Sequence, residues 1–500
     1  MKMVKSLLLG SAAGLVALTG AQAADLPVKA KPVEYVRICS LYGAGFYYIP
    51  GTDTCIRIGG HIRAEVHVNS RGTNLQSWAV GNGFATRTRD RDIFNTRSRV
   101  FLNVDTRTQT AYGTLRTFSV VRAEVNTPVG NVATPAIVAI DSGIIQWGGF
   151  TIGRAGTSYF DTPWAYAYKW GTNGWLGNPD TAGGRFVAAY THQFGNGWSG
   201  TLSLEDGKER KRGNYNGANA LSQTGIATLG TETRGGNTWP EIVGQIRLDQ
   251  AWGGFHLSGM IVNNHVAYNC GPASAACTQL AGAPSDKIGG GVSAGFKFNL
   301  PTGVRDALYI AGSYSVGATT NTFANIGQGA AFGLYGGGNS FTGGYVWDSV
   351  YDSRTNTGQQ LTTAYGGSLA FEHGWNNEWR SSLFGGAQKV DYNATANAIL
   401  CSKFAAGSAT GTLTLNGANV SGTGACNFDY RIYGVGSRTY WTPVRDLTIG
   451  VEVMWTNHSV GHASGVVYNQ PAAAGFKPAG AYVIKDQDVI SGIFSVRRFF

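Results

Sequence analysis

Three groups of residues in this chain could do chemistry. His458 and His462 stand four apart, a spacing that suits metal ligation. No Asp or Glu lies nearby, and a metal-bound imidazole needs a partner to fix its other nitrogen. Residues 289–295, GGGVSAG, have the glycine content of a phosphate-binding loop. That run sits in the middle of an alternating stretch with no helix after it, and a phosphate cradle needs the helix N-terminus. Residues 291–295 also spell G-x-S-x-G, but a nucleophile elbow needs a strand-to-helix turn, and no helix follows here. The third group is a set of charged rows: Arg57, His61 and Arg63, then Arg97 and Arg99, then Arg116, Arg122 and Glu124, with Lys297 further on. Such rows make and break no bonds. They set an electric field across a water-filled gap and act on the ions that pass it.

Those rows need strands to hold them. In residues 54–70, Ile56, Ile58, Ile62, Val66 and Val68 share one parity, and Arg57, His61, Arg63, Glu65 and His67 share the other. Period two over more than a dozen residues reads as one long strand. A soluble sandwich strand usually runs about five or six residues. Residues 94–106 set Val100, Leu102 and Val104 against Arg97, Arg99 and Asp105. Residues 112–125 set Leu115, Val121 and Ala123 against Arg116, Arg122 and Glu124. Residues 287–300 put Ile288, Val292, Phe296 and Phe298 opposite Lys287, Ser293 and Lys297. In residues 428–441 the parity is ambiguous, because Arg431 and Arg438 fall on opposite faces. The pattern continues to residues 487–500 and yields about sixteen strands, with short turns alternating with long loops. Hydrocarbon outside and water inside is the environment that pattern fits. The expected fold is all-β, a sixteen-stranded antiparallel transmembrane barrel closed by pairing its last strand with its first.

Composition agrees. Glycine numbers 73, aromatics make up 12% and charged residues only 14%, against about 25% charge in soluble chains. After the N-terminus no run of about 18 apolar residues occurs, which excludes helical spans. The net charge is +10. The basic residues are not clustered in tails and many fall at inward strand positions, which points to anionic solutes or a positive constriction rather than to nucleic acid.

Residues 1–23 read as a secretory signal, with Lys2 and Lys5 before an apolar core and Ala21-Gln22-Ala23 as the cleavage site. Residues 24–53 form a leader and 54–500 the barrel. The six cysteines of an exported chain suggest disulfides, with many pairings open. Joining neighbours gives the simplest set: Cys39–Cys55, Cys270–Cys277 and Cys401–Cys426. No cofactor or metal is expected.

Several stretches resemble the porin family of alphaproteobacterial outer membranes. They are ADLPVKAKP at residues 24–32, YVRICSLYGAGFYYIPGTDTCIRIGGHIRAEV at 35–66, FDTPW at 160–164, and the terminal Phe500. The resemblance implies a homotrimer in outer-membrane lipid that passes small hydrophilic solutes and ions by passive diffusion. It implies a third long loop, residues 155–184, folded into the lumen. On this resemblance Arg63, Arg99 and Arg116 form the basic wall of the constriction, near mid-height. Asp161 lies on the acidic loop face opposite, and Asp180 is a weaker candidate. Arg57, His61, Arg97, Arg122, Glu124 and Lys297 line the rest of the pore.

Two questions stay open on sequence alone. The arginines could tilt the pore towards anions, or pair with Glu65, Asp105 and Glu124 and simply satisfy the wall. The barrel could instead carry a hydrolase assembled from separate strands, or be a surface adhesin with a blocked lumen. The glycine-rich loop at 317–360 is long enough to put sealing of the outer mouth in doubt.

Overall fold

The computed structural model describes residues 37–69, 93–127, 136–170, 184–208, 213–218, 235–267, 283–322, 331–420, 424–471 and 479–500. Sixteen antiparallel strands close into one barrel. They are β1 Cys55–Val68, β2 Phe94–Thr110, β3 Gly113–Asn126, β4 Ile137–Trp147, β5 Phe150–Ala155, β6 Arg185–Gly195, β7 Trp198–Glu205 and β8 Glu241–Gln250. The second half comprises β9 Gly253–Asn264, β10 Lys287–Leu300, β11 Asp306–Val316, β12 Thr363–Gly374, β13 Trp379–Asp391, β14 Tyr430–Val444, β15 Leu447–Val460 and β16 Gln487–Phe499. The seam closes with β16 beside β1, from His61 opposite Phe499 to Val68 opposite Gly492. Phe500 exchanges both backbone hydrogen bonds with Gly60, at 3.0 and 3.1 Å. No strand of this ring keeps a free edge, which is what a lipid bilayer requires of a sheet.

The expected faces hold. Ile58, Ile62, Val66, Val100 and Leu102 are exposed on the outside, while Arg63, Glu65 and His67 point inward and are buried. For β14 the register settles the ambiguity. Arg438 faces inward opposite Glu452, and Arg431 faces outward opposite Lys389. Short turns all lie at one end. The Gly195-Asn196-Gly197 turn between β6 and β7 has φ of 89°, 49° and 78°, left-handed values that glycine and asparagine accept at least cost. Near these turns the outer face carries aromatic pairs, among them Tyr112–Trp147, Phe150–Tyr190 and Trp379–Trp441. Such a girdle marks a membrane–water interface.

The described end of the leader, from residue 37, is tied to the barrel. Tyr47–Tyr48 pairs with Ile56 and Cys55 at the start of β1, and the Cys39–Cys55 disulfide closes the segment. Cys401–Cys426 is also formed. Cys270 and Cys277 lie outside the described residues.

At the opposite end the long loops build a cap with its own core. A six-stranded sheet and a three-stranded sheet pack with helix α1, Ala394–Ala406. Asn393 caps α1 by accepting from the Ala396 N–H, as an N-terminal asparagine should. Trp347, Tyr215, Leu400, Phe404 and Phe428 form the centre of this core. The long glycine-rich loop is part of it: residues 340–352 are buried throughout.

His462 sits in this cap, its ring stacked on Phe404 and edge-on to Phe428. The Asn427 N–H donates to its Nδ1. Burial lowers its pKa from 6.5 to about 4. The unfolded imidazole therefore takes up its proton first as pH falls. Cap stability from this residue is full above pH 6.5 and is lost towards pH 4, on the order of 3 kcal/mol in all. Limited proteolysis of the cap should rise over that window in the wild type. In His462→Phe this rise should be smaller.

Candidate pore constriction

The charged rows of β1, β2 and β3 meet on the inner wall through their register. Arg63 stands opposite Arg99 on β2 and Arg497 on β16, and Glu65 stands opposite Arg97 and Ser495. Arg99 in turn stands opposite Glu124. Cross-strand neighbours on one face lie within side-chain reach, and these pairs connect. Glu65 accepts from Arg97 Nε at 2.8 Å, Arg497 Nη2 at 3.1 Å and Ser495 Oγ at 3.2 Å. It also forms an ion pair with Arg63 at 3.5 Å. Glu124 pairs with Arg99, and with Arg122 at 2.9 Å. Arg122 reaches Asp141 at 3.0 Å.

Pairing does not exhaust the positive charge. The inward faces of β1 to β4 and β16 carry Arg57, Arg63, Arg97, Arg99, Arg107, Arg116, Arg122 and Arg497. Against these stand Glu65, Asp105, Glu124 and Asp141. The carboxylates knit the wall, and guanidiniums remain in excess on it.

The third long loop runs along the inner wall, where described residues 156–170 can be followed. Glu205 on β7 accepts from Ser158 Oγ at 2.6 Å and the Tyr159 N–H at 3.1 Å. Gln245 on β8 donates to the Tyr159 carbonyl at 2.6 Å, and Ser258 on β9 to that of Phe160 at 2.9 Å. Ser382 on β13 donates to the Tyr168 carbonyl, and Arg438 on β14 to that of Ala167 at 2.9 Å. The Trp170 N–H then donates to Glu452 on β15. Its ring lies 4.4 Å from the Arg497 guanidinium, a cation–π contact. The described part of the loop thus covers the wall from β7 to β15 and reaches the arginine wall at Arg497, beside Arg63.

Three expected site residues, Asp161, Arg116 and Arg97, stand elsewhere than the resemblance implies. Asp161 is 4% exposed, and its carboxylate accepts the Ser158 N–H at 3.1 Å. It closes the loop's own turn and lies near the buried Arg185. Arg116 is opposite Arg107 rather than Arg99. Those two positions on β2 are roughly 26 Å apart along the strand, so Arg116 is not at the height of Arg63 and Arg99. Arg97 points inward, but at 2% exposure it is a buried partner of Glu65 and not a pore-lining group. Asp180 lies outside the described residues. His61 stacks on Phe101 with ring centres 4.4 Å apart and leans on Phe499. Arg57 is exposed near the short-turn end. Lys297 faces inward opposite Gly254 and Tyr309.

Arg107 and Arg497 were missed from sequence. Arg107 has the parity of Arg97 and Arg99, and extending the second strand beyond residue 106 would have found it. Arg497 has the parity of Ser495 and Phe499 on the closing strand. His458 and His462 share no site: Thr342 Oγ1 hydrogen-bonds His458 Nδ1, whereas His462 is held by Asn427.

A closed barrel with an apolar outer belt, a charged lumen and a loop folded inside defines a channel-forming protein of the bacterial outer membrane. The chain belongs to the porin family: residues 25–493 match the family described as Porin subfamily. Over 351 residues it is 32% identical to porin Omp2b of Brucella neotomae, covering 67% of this chain and 80% of that protein. Over 279 residues it is 34% identical to porin Omp2b of Brucella suis biovar 1, covering 53% of this chain and 66% of that one. Among solved structures it is similar to the outer-membrane channel DcaP of Acinetobacter baumannii. There the TM-score is 0.55, with 14% identity over 91% of this chain and 99% of the other, which shows a shared fold.

Proposed function

We propose that the chain forms a water-filled pore for passive diffusion of small hydrophilic solutes and ions, with a weak preference for anions. The observation that carries this is the excess of inward guanidiniums over carboxylates on β1 to β4 and β16. Narrowing occurs where Trp170 meets Arg497, beside Arg63 and Arg99. Water there is ordered by charge on the wall, so an apolar solute must disrupt it and a hydrophilic one need not. Fixed positive charge raises the local anion concentration and lowers that of cations, the more so at low salt.

Three further points belong to the same reading. The mature chain starts at Ala24, which the mass of the exported protein tests. The chain assembles as a homotrimer, seating part of its exposed apolar outer face against neighbours. Light scattering in detergent should give three copies per particle. No covalent chemistry is involved. Purified protein in a planar bilayer should conduct; a lack of conductance over repeated insertions would remove the pore reading.

A further inference from the structure

A second basic cluster lies near the short-turn mouth, away from the constriction. Arg57, Arg107 and Arg116 converge on the single carboxylate of Asp105. Arg107 reaches it at 2.9 and 3.2 Å, Arg116 at 2.9 and 3.0 Å, and Arg57 at 3.6 Å. Arg116 also donates to Gln146 Oε1 at 2.8 Å. Asp105 is 1% exposed and both its oxygens are occupied. It neutralises one of three positive charges and holds the guanidiniums in place. Among the described residues, Arg107 Nη1 and the Nε and Nη1 of Arg57 have no hydrogen-bond partner.

The leader supplies the other side. Phe46 presents its ring to both Arg57 and Arg107, each 4.9 Å away, and Tyr42 lies 5.5 Å from Arg107. Phe46 packs with Cys39 and Cys55 in one small buried cluster, so the disulfide fixes this ring. Beside the cluster is a cavity of about 480 Å³, lined by Tyr42, Arg107, Arg116, Gln146, Thr151 and Gln193. Its walls offer guanidinium, amide and hydroxyl donors around open space. Guanidiniums are suited to carboxylate and phosphate oxygens because their N–H groups match two oxygens at once.

We propose that this cavity is a binding station for small oxyanions, with dianions favoured because two positive charges are left over. The disulfide-closed leader forms part of its wall. The proposal rests on the pore reading above and adds a resting place between the constriction and the short-turn mouth.

Single-channel recording in chloride, with succinate added, tests it. Succinate should cause concentration-dependent blockades in the wild type, and monomethyl succinate should need about ten times the concentration, the loss expected for one charge-assisted contact. In Arg107→Gln and in Phe46→Ala the half-blocking concentration for succinate should rise, about tenfold for the arginine change. Equal block by succinate and its monoester in the wild type would overturn the station, as would unchanged block in Arg107→Gln. The wild-type comparison needs no variant to fold. The sign of the reversal potential, read in the same membranes, reports separately on anion preference, so the two readings fail independently.

Discussion

Glu65→Gln is expected to lower the unfolding free energy of the barrel by about 3–5 kcal/mol, the cost of breaking a buried ion pair from one side. Glu65 is 3% exposed and is the one carboxylate shared by Arg63, Arg97 and Arg497. Glutamine keeps the shape, so no cavity is made, but three guanidiniums, those of Arg63 and Arg97 buried, lose their counter-charge. Two of the partners, Ser495 and Arg497, are on β16, so the loss falls on the closing seam. Denaturant titration of the folded protein in detergent, followed by gel mobility, reads the effect. A midpoint within error of the wild type would show that Glu65 does not hold the seam.

The second large effect is on ion preference. Arg99→Glu changes the wall charge by two at the position opposite Arg63 and Glu124. Two charges about 5 Å from a passing ion in water amount to roughly 1.7 kcal/mol, of opposite sign for anions and cations, so the anion-to-cation permeability ratio shifts by on the order of a few hundredfold before screening. The pore should turn towards cations at low salt, and the change should shrink as salt rises. Arg116→Glu should act less, because Arg116 lies beyond the constriction and keeps company with Arg57 and Arg107 around Asp105. Equal effects of the two variants would contradict the assigned heights.

Period two in the sequence says which face a side chain takes, because alternate residues point to opposite sides of a sheet. Hence the inward positions of Arg63, Arg99, Arg122 and Lys297, the outward Ile58 and Ile62, and the sixteen strands were legible. Period two does not say at what height a residue stands. Height follows from register, which depends on where the hairpin turns. The second strand runs on to Thr110 before turning, and that extension carries Arg107 and puts Arg116 beside it. Face is also lost where one strand carries arginines of both parities. Only its pairing with Lys389 and Glu452 shows that Arg431 faces out and Arg438 in.

Loops were least legible. Asp161 has the charge of a constriction residue, but its role is decided by Ser158 three residues back and by the Glu205 that anchors this turn. The glycine-rich stretch after residue 317 shows no period that reveals its place in the cap core. Its burial comes from contacts with remote segments, such as Tyr392, whose hydroxyl donates to the Tyr345 carbonyl. The cysteines were easier, since Cys39–Cys55 and Cys401–Cys426 each join neighbours in sequence.

The most direct test of the account is the zero-current potential of the wild-type channel in a planar bilayer under a potassium chloride gradient. Excess guanidinium on the wall predicts a sign set by chloride, growing as both solutions are diluted. A potential set by potassium, or one that does not change with dilution, would contradict it.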